Sequence, residues 1–205
     1  MPRLRARSWR AFDPGAVRAA APPAPVARAR VRILGLDPGS RRTGYGLIDC
    51  GGPQSVHVAH GCIVPSATSA AARLRAIFEA VDELITRLAP DEIAVERVFV
   101  NRNVDSALKL GQARGAALCA VPRAVPVFEY APRAIKMSVV GFGGAEKRQV
   151  AHMMRALLGL AGELSADAAD ALAVAVCHAH SRRMYAIELA ARRTRAPVRL
   201  EGPVK

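Results

Sequence analysis

Four acidic residues sit where local folding logic would not choose a charge. Asp37 ends the apolar run "RILGLD" and Glu96 interrupts "IAVERVF"; Asp167 and Asp170 open "ADAADALAVAVC", which is apolar almost all the way round a helix. Three residues apart on that helix, the two aspartates share one face, with β-carbons about 5–6 Å from each other. Each acid has an ordinary explanation taken singly. Asp before Pro-Gly suits a turn, and a Glu in a strand can face solvent at an exposed sheet edge. Acids in a first helical turn match the helix dipole, here behind Ser165 as N-cap. Taken together, four carboxylates at strand ends and a helix start point to oxygen ligation of a hard cation such as Mg²⁺. A metal would offset the charge that the apolar helix otherwise buries at a cost.

The cations are as unevenly placed as the acids. The net charge of +13 is concentrated at the two ends, where 1–30 carry seven Arg against one Asp and 181–205 carry seven Lys or Arg against two Glu. Within the middle, 97–155 holds ten bases against only Asp105, Glu129 and Glu146, which makes it the better candidate for a phosphate-binding surface. "DPGSRRTGYG" is a glycine-rich stretch after a strand, but it has neither P-loop spacing nor the strand–loop–helix setting of a dinucleotide fold. Cys50, Cys62, Cys119 and Cys177 form no C-x-x-C pair and read as reduced, buried cysteines of a cytoplasmic protein. His178 and His180 point to different sides of one helix, a poor zinc arrangement, and read with His152 as polar helix exits.

The elements that must position these residues follow from periodicity. "RILGLDPG", "TGYGLIDC" and "SVHVAHGCIV" read as three successive strands, the last two joined by a turn at 51–53. Leu74, Ile77, Val81, Leu84, Ile85 and Leu88 recur at helical spacing up to a stop at Pro90. A strand at "EIAVERVFV", a helix at "NVDSALKLGQARGAALCAV" and a buried strand at "VPVFEY" come next. Two short helices at "PRAIKMSVV" and "EKRQVAHMMRALLGL" flank the flexible "GFGGA", and the long apolar helix closes the domain. Three strands followed by alternating helix and strand describe an α/β fold, a mixed sheet with helices on both faces. The proline-rich stretch 1–30 has no apolar period and reads as a disordered basic extension or the product of a misplaced start; 31–180 form the domain and 181–205 a basic tail. The longest apolar runs are far too short to span a bilayer.

Four segments in order, "ILGLDPGSRRTGYGLID", "VERVFVNRNVDSALKLGQARG", "VFEYAPRAIKMSVVGFGGAEKRQV" and "ADAADALAVAVCHAH", resemble the RuvC family of bacterial Holliday junction resolvases. The likeness runs from about Val31 to His180. It implies a ribonuclease-H-like fold, a homodimer, and symmetrical nicking of four-way junction DNA with two Mg²⁺ ions per site, Mn²⁺ being able to substitute. It implies a bacterial cytoplasmic setting and partnership with the RuvA–RuvB branch-migration complex. The family's catalytic, metal-holding carboxylates fall on Asp37, Glu96, Asp167 and Asp170, and its functional lysines on Lys136 and Lys147. Its aromatic near the junction crossover falls on Phe99. Arg97, Arg102, Arg114 and Arg148, in the same basic region, become candidate contacts to the DNA backbone. Residues 1–30 have no counterpart in the family pattern.

Other functions meet specific obstacles. An actin-like phosphotransferase needs a second nucleotide-binding half, for which about 150 residues leave no room. A non-catalytic DNA-binding module has no use for four acids that repel phosphate. A related nuclease acting on RNA is opposed only by the long family signatures.

Overall fold

The computed structural model describes residues 30–52, 54–97 and 104–195, with side chains as far as 184. Five strands are β1 (Val31–Pro38), β2 (Thr43–Cys50), β3 (Val56–Ile63), β4 (Glu92–Glu96) and β5 (Val127–Tyr130). They form one sheet in the order β3-β2-β1-β4-β5, with β1 antiparallel to β2, β2 antiparallel to β3, and β1, β4 and β5 mutually parallel. The helices are α1 (Ala70–Leu88), α2 (Val104–Cys119), α3 (Pro132–Val140), α4 (Lys147–Leu158) and α5 (Ala166–Arg195).

Alternation along the strands divides the core into two layers. Leu34, Leu36, Leu47 and Ile93 pack with Ile77 and Val81 of α1 and Ala113 and Ala117 of α2. Ile33, Ile48 and Ala94 face the other way, against α3, α4 and α5. Helices therefore cover both faces, as the sequence pattern predicts. Asp37 and Glu96 have the parity of the second layer, so both side chains emerge on the α5 side of the sheet.

α5 lies unusually close to that sheet, and glycine is the reason. A β-carbon on Gly35 would come within 2.1 Å of the Ala171 carbonyl oxygen, and one on Gly44 within 2.0 Å of the Asp167 carbonyl oxygen. No side chain fits at either point, and the opposing helix face is built largely of alanine. Ser165 caps this helix as expected, its hydroxyl accepting from the Ala168 N–H at 3.3 Å. At the end of α1, Ala89 adopts a left-handed conformation with φ 44° and donates its N–H to the Ile85 carbonyl, so the helix ends at Leu88, two residues before Pro90.

Several expectations require correction. "VPVFEY" is not a buried strand: among the described residues β5 is a sheet edge, with only β4 beside it, and Val127 and Phe128 remain more than a third exposed. His178 is not a polar exit. It follows Ala171 and Ala175 on the sheet-facing stripe of α5 and is fully buried. Its Nδ1 lies 2.7 Å from the Tyr130 hydroxyl and its Nε2 2.6 Å from Glu92, while Phe128 stacks on the ring. Burial pushes its pKa down against the opposing pull of Glu92. A neutral ring donating from Nε2 and accepting at Nδ1 satisfies both partners. Cys119 is exposed and Cys62 partly so, because each falls at the open end of its element. α5 also runs past His180, where the sequence reading ends the domain. Arg182 ion-pairs with Glu92 at 2.7 Å and Arg183 donates to the Gly52 carbonyl at 2.7 Å, fastening the first residues of the basic tail.

Candidate active site

Parallel pairing of β1 with β4 ends at Leu36 opposite Val95, so Asp37 and Glu96 are the next residues on adjacent strands. The N-terminal turns of α5 cross above them, and the N-termini of α3 and α4 close the sides. The result is a cleft of about 230 Å³ lined by Asp37, Glu96, Lys136, Lys147 and Asp170, floored by Ile135, Val150 and Ala173. Five of the six residues assigned catalytic roles from the sequence thus share one cavity.

Charge in this cavity is unbalanced. Asp37 is pushed up to about 7, first by burial and then by repulsion from Asp170 and Glu96. Glu96 is raised for the same reasons, burial first and Asp170 next. Against these stands Lys147, whose Nζ donates to Asp170 at 2.8 Å and whose own pKa is raised by that hydrogen bond. Lys136 adds a second cation to the lining. Carboxylates this close repel one another, and a dication on oxygen donors is the chemistry that fits. Among the described residues no three acidic, histidine or cysteine side chains are already drawn together as a finished ligand cluster.

Asp167 stands apart from its partner. It does not line the cleft; its Oδ2 lies 3.7 Å from Nη1 of Arg42 and 3.7 Å from the Cys62 thiol. The charge of the two helix aspartates is therefore met by Lys147 and Arg42. The sequence reading missed Arg42 and Cys62. The signal for Arg42 was its place in the glycine-rich turn two residues before Gly44, the residue that admits Asp167.

The described arginines take different places. Arg114 is turned inward, its Nη2 pairing with Glu129 at 2.6 Å and its Nε donating to the Glu96 carbonyl at 3.4 Å, so it braces the end of β4. Arg97 shares Glu129 at 3.7 Å and Arg148 pairs with Glu146 at 2.7 Å, both on exposed surface. Phe99 and Arg102 lie outside the described residues.

Residues 33–178 match the family described as Crossover junction endodeoxyribonuclease RuvC. The chain belongs to the RuvC family. A RuvC of that description from Methylococcus capsulatus is 54% identical over 153 residues, spanning 74% of this chain and 92% of its own length. Another from Shewanella pealeana is 53% identical over 174 residues, spanning 84% of this chain and 98% of its own. The structure of Thermus thermophilus RuvC in complex with Holliday junction substrate superposes with a TM-score of 0.70 at 35% identity, covering 76% of this chain and 96% of that one. The mixed sheet of this RuvC-family protein is accordingly ribonuclease-H-like. No helix among the described residues is long and apolar enough to cross a membrane.

Proposed function

We propose that this protein is a Mg²⁺-dependent endonuclease that resolves four-way DNA junctions by paired symmetrical nicks during homologous recombination and repair. One observation carries the reading: three carboxylates and two lysines line a single cleft in which Asp37 is held near neutrality until positive charge arrives. Asp37, Glu96 and Asp170, with Asp167 beside them, would hold Mg²⁺, which when bound supplies the Lewis acidity that activates water and stabilises the leaving 3′ oxygen. Lys136 and Lys147 offset the charge that builds on the phosphodiester as it is attacked. Lys147 also holds the Asp170 carboxylate in place, and Arg114 fixes the strand end that presents Glu96.

Two opposed cuts ask for two sites related by a two-fold axis. The outer face of α2 suits a homodimer contact: Val104 and Leu108 are exposed, and nothing lies within 4 Å of where a side chain on Gly111 or Gly115 would begin. Cooperation with RuvA–RuvB in the bacterial cytoplasm belongs to the same reading, as do Phe99 and the exposed arginines as DNA contacts. The test is cleavage of a four-way junction, a linear duplex and an RNA hairpin, each with Mg²⁺, with Mn²⁺ and with chelator. Metal-dependent paired nicks in the junction alone are expected; equal cutting of the hairpin, or cutting in chelator, would overturn the reading.

A further inference from the structure

Phe142 is more exposed than Phe78 or Phe128, the other exposed phenylalanines among the described residues. It is 46% exposed on the loop between α3 and α4. Gly141 before it takes φ 88°, and Gly143 after it leaves room for the Arg133 side chain, which a β-carbon there would meet at 2.4 Å. Met137, one helical turn beyond Arg133 on α3, is 50% exposed. Arg133, Met137 and Phe142 thus give this corner a cation, a thioether and an aromatic ring, all open to solvent.

The loop joins the helix carrying Lys136 to the helix that begins with Lys147, both in the cleft. Beside it is a second, shallow groove of about 390 Å³ lined by Val140, Arg148, Gln149, His152 and Met153. That lining contains no carboxylate, although Glu146 pairs with Arg148 at its rim. A groove lined by a guanidinium, an amide and an imidazole next to an exposed aromatic can hold a nucleic-acid strand, with backbone on the polar donors and a base on the ring. An exposed Phe with no such partner would only add apolar surface.

We propose that the α3–α4 loop is a strand-holding element, in which Phe142 stacks an unpaired base while Arg148 and His152 hold the backbone leading out of the cleft. This rests on the reading of the protein as a junction nuclease, and it adds a second aromatic contact distinct from Phe99.

The test uses the full chain and a four-way junction carrying 2-aminopurine at successive positions flanking the cut, with chelator present for binding and Mg²⁺ for cleavage. The parent should raise the fluorescence at one or two positions. Phe142→Ala should abolish that rise and weaken junction binding about 5- to 150-fold, the range for loss of one stacked base. Phe142→Trp should restore both, and Phe142→Leu, which keeps bulk without a π face, should not. Melting temperatures should agree among the variants, since the side chain is half in solvent. A parent that binds and cuts, with a Phe142→Ala variant matching it in affinity and fluorescence, would overturn the proposal. So would a variant whose only change is in the oligomeric state of the free protein. A parent that neither binds nor cuts the junction would instead overturn the nuclease reading itself.

Discussion

Replacing Asp37 with Asn should make the metal-free protein more stable at neutral pH while abolishing cleavage. The carboxyl is raised from 3.8 to about 7 by burial and by its acidic neighbours. An acid raised in this way favours the fold only when protonated. Its contribution is fully present below pH 3.8 and is lost as the pH climbs through about 7. At about 1.4 kcal/mol for each tenfold change, the interval from 3.8 to about 7 corresponds to an upper limit of about 4 kcal/mol. Water entry and local rearrangement reduce this, so about 1–3 kcal/mol is the expected effect. The assay is urea unfolding of parent and Asp37→Asn in chelator at pH 5 and pH 8. At pH 5 the variant should be only modestly the more stable, because Asp37 is ionised in the unfolded chain but still neutral in the fold; at pH 8, where it is ionised in both, the gap should be at its widest. Mg²⁺ should then stabilise the parent more than the variant, since only the parent keeps all its anionic donors. Identical pH dependence in the two proteins, or a variant less stable at pH 8, would refute the account of the cleft as electrostatically strained.

Asp170→Asn removes an anion from the cleft and releases Lys147. Mg²⁺-dependent nicking should collapse while junction affinity, measured by gel shift, holds or rises through reduced phosphate repulsion; near-normal nicking would remove Asp170 from the metal-holding set. Gly35→Ala forces a methyl into the Ala171 carbonyl and must push α5 off the sheet, with about 1–3 kcal/mol lost in chemical denaturation or more. Its nicking rate at a temperature where it is fully folded should also fall, because α5 carries Asp170; an unchanged rate would mean the helix position is not critical. Ala89→Gly relieves a left-handed non-glycine residue and should raise stability by about 0.5–1 kcal/mol with no effect on cleavage. A lower melting temperature would show that this turn is not strained.

Much of the fold and part of the site were legible in the sequence, because each signal involved was local. Period-2 and period-3.6 patterns put strands and helices where the structure has them, and Ser165 marked the start of α5. The same local logic singled out four acids as misplaced charges, since a carboxylate inside an apolar run conflicts with its immediate neighbours. Grouping those acids as a hard-cation site came from their residue types and positions, whereas assigning Lys136 and Lys147 beside them came from family resemblance. Which acids actually meet was decided only by tertiary structure. Asp37, Glu96 and Asp170 line one cleft, whereas Asp167, three residues from Asp170, faces Arg42 and Cys62 instead. The inward turn of Arg114, the burial of His178 and the edge position of β5 are likewise invisible along the chain. Periodicity fixes the face a side chain occupies within its own element, but not which other element covers that face. Here that is set by the close seating of α5 on Gly35 and Gly44, and by partners as distant in sequence as Lys147 from Asp170 or Cys62 from Asp167.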